Sequence, residues 1–330
     1  MKLVTFQVTP QGPPALGAMA DDRVIDVVAV HRRETGSTAP ALESMQALID
    51  AGAAGLSLVQ RCLEGARDEE RHDLGRVTLL APLPLPMQIR DCLCFEEHIR
   101  RSVEGMKRGG EAPPPMALAM LETVRRRPVW YKANRFAVVG PDVEIAWPKY
   151  SSVMDYECEM AAVIGTRGRD IPKEEAASHV FGYTIFNDFS ARDLQMKEMA
   201  GRLGPAKSKD FDTGNVLGPY LVTPDEVPDP YALTMRARVN GEEWSHGSSR
   251  EMHFRFEEIL AYISRDETLY PGEFIGSGTV PSGCGLELDR WLKPGDVVEL
   301  EVENLGVLRN RVTAPSRDNL SGSRASPRMN

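Results

Sequence analysis

The stretch Asp155-Tyr156-Glu157-Cys158-Glu159-Met160-Ala161-Ala162-Val163-Ile164-Gly165 decides how this chain is read. An apolar run closed by Gly is that of a strand. Strand side chains alternate between faces, so Glu157 and Glu159 project together while Cys158 and Met160 face the other way. Two carboxylates on one face repel, and unless both stand in water a cation belongs between them. An oxygen-preferring divalent metal is the candidate. The alternative is the solvated face of an edge strand, since E-x-E alone is a weak motif. A second apolar run, Val180 to Phe186, leads into Asn187-Asp188 and puts Asp188 at a strand end, where a third carboxylate can join the first two. Ser190 and Asp193 then have the spacing of a capping box for a helix through Gln195 to Ala200.

Upstream of this centre, Gln88 to Arg101 reads as a short strand running into a helix or loop, and Pro128 to Arg135 leads to a short apolar strand ending at Gly140. Between them, residues 105 to 118 carry Gly105, Gly109, Gly110 and prolines at 113 to 115, and are expected to form no regular element. A mobile lid over a site and an ordinary surface excursion are both open readings of that segment. Alternating prolines hold Ala81 to Pro86 extended as a linker. Residues 1–80 are therefore expected to be a small N-terminal domain, with residues 81–314 as the main domain. In the first, Leu3 to Val8 and Arg23 to Val30 read as strands around the turn Ala20-Asp21-Asp22. Met45 to Glu64 reads as two short helices interrupted at Ala51-Gly52, and Arg67 to Asp73 as a solvated charge run.

Downstream, Tyr231 to Val239 alternates like a strand and Asn240-Gly241 signals a hairpin. Met252 to Ser264 has helical spacing, and Val297 to Val302 pairs with Gly306 to Val312 around Glu303-Asn304-Leu305. The Ser-, Arg- and Asn-rich residues 315–330 are expected to be a disordered tail.

The 330 residues suffice for a sizeable core, and 42% hydrophobic with 26% charged residues is ordinary for a globular protein. A net charge of -9 argues against nucleic acid or an anionic membrane as partner. No apolar run approaches the roughly 18 residues of a membrane span, and the N-terminus does not read as a signal peptide, so the cytoplasm is the expected location. Five cysteines without C-x-x-C spacing suggest neither a disulfide framework nor zinc, and read as buried small hydrophobes.

Three segments carry a resemblance. They are Asn187-Asp188-Phe189-Ser190-Ala191-Arg192-Asp193-Leu194-Gln195 after its strand, Ser277-Gly278-Thr279, and the closing Pro294 to Val302 with Gly306 to Val312. Together the chain resembles the fumarylacetoacetate hydrolase family over about residues 85 to 312. The resemblance implies an α+β fold, the mixed β-roll of that family behind a small N-terminal β-containing domain, and a homodimer.

Carried over residue by residue, the resemblance implies Asp91, Glu157, Glu159 and Asp188 as metal ligands. Four carboxylates without a soft ligand suit Mg²⁺, Mn²⁺ or Ca²⁺, with Mg²⁺ the default expectation. His98 matches the family's general base. Many relatives place a Glu three residues after this His, where the present chain has Arg101. Glu287, in Gly285-Leu286-Glu287-Leu288, resembles the position from which fumarylacetoacetate hydrolase itself supplies the partner. Lys209, placed by its distance to Gly218-Pro219, is the implied cation near the substrate, with Lys207 as rival. Tyr131, Gln195 and Thr279 match substrate-contacting positions. Leu93 and Met199 stand where the parent enzyme has tyrosines, which points away from fumarylacetoacetate as substrate.

The function so implied is metal-dependent hydrolysis of a C–C bond in a small 1,3-dicarbonyl such as an acylpyruvate. The alternative is a lyase (decarboxylase or sugar-acid dehydratase) or keto–enol isomerase acting on an α-keto acid, and a third reading is a catalytically silent metal-binding homologue.

Overall fold

The computed structural model describes residues 1–108 and 115–314. At its centre the Cys158–Ile164 strand lies antiparallel between Val180–Asp188 and Glu273–Gly276. The main sheet runs in the order Arg71–Asp73, Arg23–Asp26, Ala15–Ala20, Lys2–Gln7, Asn215–Val222, Val180–Asp188, Cys158–Ile164, Glu273–Gly276, Gln88–Cys92, Trp130–Lys132. Glu273–Gly276 and Gln88–Cys92 pair in parallel, which makes the sheet mixed. A second sheet orders Glu242–Ser248, Thr234–Val239, Val297–Val302, Gly306–Val312 and Glu144–Ile145. With its helices, the fold is α+β.

The alternation of the central strand sorts its side chains into two cores. Met160, Ala162 and Ile164 pack in one core with Met235, Ala237, Leu300 and Leu308 of the second sheet. Ala161 and Val163 pack in the other with Leu48, Ile49 and Val59 of the N-terminal helix Met45–Gly65. A strand covered on both faces reads as apolar at every position, so the solvated-edge reading of Glu157 and Glu159 does not hold. Both are buried.

Several local expectations are corrected. The strand begins at Cys158, because Met154–Asp155 pairs separately with Ser190–Ala191 and Glu157 makes an isolated bridge to Cys284. That pairing draws Ser190 into a strand, so no capping box forms. The helix Arg192–Met199 starts from Ala191 without a side-chain cap, and Asp193 instead accepts from Ser151 Oγ and Ser152 N at 2.6 and 3.0 Å. Val27 to Val30 is the start of the helix Val27–Thr35, where the Asp26 carboxylate accepting from Ala29 N at 2.8 Å overrides the β preference of the valines. Met45–Gly65 is interrupted at Gly52 (φ 54, ψ -133), as the Ala51-Gly52 pair suggests.

Residues 105 to 108 and 115 to 118 are helical, belonging to Glu96–Arg108 and Pro115–Arg126. Pro115 takes a first helical position, where its missing N–H costs nothing. The middle of the expected lid, 109–114, and the tail, 315–330, lie outside the described residues. The N-terminal strands join the main sheet, since Lys2–Gln7 pairs with Asn215–Val222. Among the described residues no helix is long and apolar enough to cross a membrane.

The Arg67 to Asp73 charge run is solvated at Arg67, Asp68, Glu69 and Asp73, as expected, but not throughout. Arg71–Asp73 extends the main sheet against Arg23–Asp26. Glu70 is buried, accepts from Arg33 Nε at 2.5 Å and also takes the Arg67 N–H at 2.7 Å. The hydrogen bond from Arg33, helped by that from Arg67, holds the Glu70 carboxyl below its ordinary value of 4.5. The stabilisation is therefore present above that ordinary value and is lost as pH falls through the lower folded one. Glu70→Gln should lower the melting temperature at neutral pH, and the gap to the parent should narrow as pH falls from about 6 to about 3. A gap constant across that range in thermal unfolding would remove Glu70 from the acid response.

Candidate active site

Sheet register brings the carboxylates to one point. Asp91 lies opposite Gly276, which lies opposite Ala161, two residues beyond Glu159. On the other flank Cys158 pairs with Asn187, so Asp188 ends its strand beside Glu157. Gly276 is required for the approach, because a Cβ there would stand 2.4 Å from Asp91 Oδ1. Carboxylate oxygens of Asp91, Glu157, Glu159 and Asp188 all lie within 4.8 Å of one another, and all four residues are buried.

Two cations offset part of this charge. Lys209 Nζ stands 2.6 Å from Glu157 Oε2 and also contacts Asp188. Arg192 reaches Glu157 Oε1 through Nη2 at 2.7 Å and Asp155 Oδ2 through Nε at 2.8 Å. Burial alone would raise the Glu157 carboxyl, but Arg192, Lys209 and His98 hold it below the usual carboxylate range. Burial likewise works against the Lys209 ammonium, yet Asp188 and Glu157 outweigh it and keep its pKa above normal. For Asp91, Glu159 and Asp188, burial and the neighbouring carboxylates win, and the pKa values rise. Asp91 Oδ1, Glu159 Oε2 and Asp188 Oδ1 are buried without a hydrogen-bond partner. Excess negative charge, unsatisfied oxygens and an all-oxygen donor set together fit a divalent cation.

Beside the cluster, His98 on the helix Glu96–Arg108 places Nδ1 2.6 Å from Glu287 Oε1. A carboxylate only accepts, so in the neutral imidazole Nδ1 carries the proton and Nε2 keeps its lone pair. The other Glu287 oxygen accepts from Ser282 N at 2.8 Å, fixing the carboxylate from the backbone. Arg101, at the position where the resemblance implies a Glu, is tied to Glu97 at 2.6 Å, and the partner of His98 comes from the short helix Gly285–Leu288.

A cavity of about 320 Å³ opens onto these groups, lined by Asp91, Glu157, Glu159, His98, Lys209, Tyr131, Gln195 and Thr279. Tyr131 donates its hydroxyl to Asp188, Thr279 Oγ1 donates to Glu159 at 3.2 Å, and Gln195 Oε1 accepts from Arg192 at 2.8 Å. Leu93 and Met199 line the wall with Trp130 and Met196. All ten residues singled out from sequence therefore meet in one region. Lys207 does not: it is exposed, with its ammonium 5.4 Å from the Tyr150 ring centre.

Arg192 and Asp155 received no role from the sequence. Arg192 sat inside the motif that carried the resemblance, four residues after Asp188, and an arginine so close to an expected carboxylate cluster was the available signal.

Among known proteins, the family model described as Fumarylacetoacetate (FAA) hydrolase C-terminal matches residues 89–313. The mitochondrial oxaloacetate tautomerase FAHD2A of Bos taurus is 36% identical over 322 residues, covering 94% of this chain and 91% of the relative. Oxaloacetate tautomerase YisK of Bacillus subtilis (strain 168) is 34% identical over 244 residues, 73% of this chain and 75% of the relative. The solved structure of fumarylacetoacetate hydrolase from Exiguobacterium antarcticum matches with a TM-score of 0.72 at 29% identity, covering 95% of this chain and 99% of that one.

Glu159→Gln removes one charge from the cluster at nearly constant shape. The metal-free protein should melt at the same temperature or higher, because a repulsion is relieved. Mn²⁺ affinity by calorimetry should fall by more than the roughly 10- to 100-fold typical of outer-shell changes. Unchanged Mn²⁺ binding would refute the ligand role.

Proposed function

The chain belongs to the fumarylacetoacetate hydrolase family, and on that premise we propose that it is a metal-dependent tautomerase, interconverting the keto and enol forms of a small α-keto acid of the oxaloacetate type. The observation that carries the reading is the His98–Glu287 pair, 2.6 Å apart, with His98 lining the same cavity as Asp91, Glu157 and Glu159. Identity to oxaloacetate tautomerases along nearly the whole chain supports it.

A divalent cation held by Asp91, Glu157, Glu159 and Asp188, with Mg²⁺ our choice, would polarise the keto oxygen and stabilise negative charge developing there. His98 removes a proton from the carbon next to the carbonyl through Nε2, and the electron pair moves to the carbonyl oxygen. Glu287 stabilises the imidazolium that results. His98 then returns the proton to that oxygen, so the product is the enol and no atom is gained or lost. Lys209 supplies positive charge on the substrate side of the cluster. We also propose a homodimer as the working assembly.

C–C bond hydrolysis is the second reading, because the same pair can take a proton from water. A stopped-flow assay of enol-oxaloacetate absorbance, with products identified by mass and Mg²⁺, Mn²⁺ and Ca²⁺ compared, separates the two. Enol loss accelerated by enzyme with oxaloacetate intact is the expected result. Cleavage of acylpyruvates without acceleration of enol loss would replace tautomerase by hydrolase. His98→Ala and Glu287→Gln should each cripple turnover with metal binding preserved, and the double variant should be little worse than the poorer single one, since groups acting as a unit are non-additive. Losses that simply sum would disprove the pair.

Lys209→Met should lower turnover about 100-fold or more, the usual cost of losing a charge-stabilising donor. Lys207→Met should be mild. The reverse ranking in steady-state kinetics would move the substrate cation to Lys207.

A further inference from the structure

The proposed reaction leaves one fully buried carboxylate of the central stretch without a part. Asp155 is 0% exposed and spends both oxygens on four donors. Its Oδ1 accepts from Tyr156 N at 2.9 Å and Gly285 N at 2.7 Å. Its Oδ2 accepts from Leu286 N at 3.0 Å and Arg192 Nε at 2.8 Å. These donors belong to different halves of the site. Arg192 carries the contact onward to Glu157 Oε1 at 2.7 Å, and Glu157 is one of the four clustered carboxylates. Gly285 and Leu286 open the short helix whose next residue, Glu287, holds His98. The approach is tight: a Cβ at Gly285 would stand 2.6 Å from Asp155 Oδ1 and 1.9 Å from the Arg290 carbonyl oxygen.

We propose that Asp155 is a positioning residue that sets both halves of the site at once, orienting Glu157 through Arg192 and Glu287 through the N–H groups of Gly285 and Leu286. The sequence separation explains the need. Glu157 and Glu287 are on segments 130 residues apart, joined by backbone through the bridge from Glu157 to Cys284 and the hydrogen bonds from Cys158 N to the Gly283 carbonyl at 2.9 Å and from Val280 N to the Cys158 carbonyl at 3.0 Å. Backbone pairing fixes where those segments run, but it does not fix the side-chain angle of a Glu. A guanidinium held at Nε by one carboxylate keeps its charge at a fixed place against the second, here as a close ion pair through Nη2 without hydrogen-bond geometry. On the other arm, two N–H groups at the start of a helix have no partner within it, so an acceptor from outside determines how that turn sits. The geometry makes one carboxylate common to metal affinity and to proton transfer. This inference rests on the proposed metal site and the proposed His98–Glu287 pair.

Asp155→Asn is the test, because it keeps size and replaces one acceptor oxygen by a donor. Whichever way the amide turns, two of the four donors lose their acceptor. With Mn²⁺ as probe, calorimetry on the full chain should show affinity reduced by roughly 10- to 100-fold, the range for outer-shell partners. At saturating Mn²⁺, kcat on enol-oxaloacetate should also fall with KM little changed, and adding Glu287→Gln should lower kcat no further. Arg192→Lys separates the arms and guards against an Asp155 variant that does not fold: Mn²⁺ affinity should drop while the double-variant test with Glu287→Gln still shows the full Glu287 loss. Cooperative unfolding of Asp155→Asn with parental Mn²⁺ affinity and parental kcat would overturn the proposal. So would an Arg192→Lys protein that binds Mn²⁺ as the parent does. If the parent chain proves inactive on every substrate tried, the tautomerase reading fails, while the Mn²⁺ measurements still decide the Arg192 arm.

Discussion

Mutual repulsion among four buried carboxylates is the constraint on which the rest of this structure depends. Asp91, Glu157, Glu159 and Asp188 sit within 4.8 Å of one another in a protein interior, where like charges cannot all be ionised without compensation. Lys209 and Arg192 supply two positive charges, Arg192 to Glu157 and Lys209 to Glu157 and Asp188 together, so Glu157 meets both and its carboxyl is held low, while those of Asp91, Glu159 and Asp188 are driven up. The asymmetry divides the cluster into Glu157, which meets two cations, Asp188, which shares one, and Asp91 and Glu159, which have no ion pair among the described residues. A site built this way is destabilising when empty of positive charge and becomes stabilising on binding it, so ion affinity and folding draw on the same interactions.

That repulsion explains why the cluster stands on the least deformable part of the fold. Asp188, Glu159 and Asp91 come from strands of the mixed sheet and Glu157 stands immediately before the central one, which is packed on both faces. Loops would relax to separate the charges. Strands tied by register cannot move singly, because a one-residue slip would exchange the two cores that Met160 and Ala161 serve. Extension of the sheet by the N-terminal strands, with the helix Met45–Gly65 packed over Ala161 and Val163, adds weight to the same face.

The sequence made much of this legible because alternation and charge both leave marks at short range. Glu157 and Glu159 could be placed on one face from their spacing, and Asp188 at a strand end from the apolar run before it. What spacing did not reveal was decided at long range. Asp155 takes its importance from partners across the fold, and nothing local distinguishes it from a surface charge, while Arg192 had only its nearness to Asp188 to mark it. Glu70 likewise looked solvated within a charge run, and only its pairing with Arg33, far along the chain, buries it. The start of the helix Val27–Thr35 departs from the strand expectation because a single capping carboxylate outweighs the β preference of three valines, Val27, Val28 and Val30.

The proposed chemistry turns on what shares the cavity with His98. Tautomerisation and C–C hydrolysis both need a base with a fixed tautomer and a stabilised negative oxygen, so His98, Glu287, Lys209 and the carboxylate cluster serve either. Hydrolysis has one further requirement, a water held in line for attack, and holding a water takes two or more polar partners. Among the lining residues are Leu93, Trp130, Met196 and Met199, beside the polar Ser102, Gln195, Tyr131 and Thr279. The apolar Leu93 and Met199 stand where the family resemblance implies tyrosines in fumarylacetoacetate hydrolase, whose hydroxyls could anchor either water or a polar substrate tail. Removing such anchors weakens the hydrolytic reaction more than the proton transfer, which needs no second reactant. A scaffold of fixed charge with an adjustable wall can thus change its reaction by a few side chains that never touch the metal.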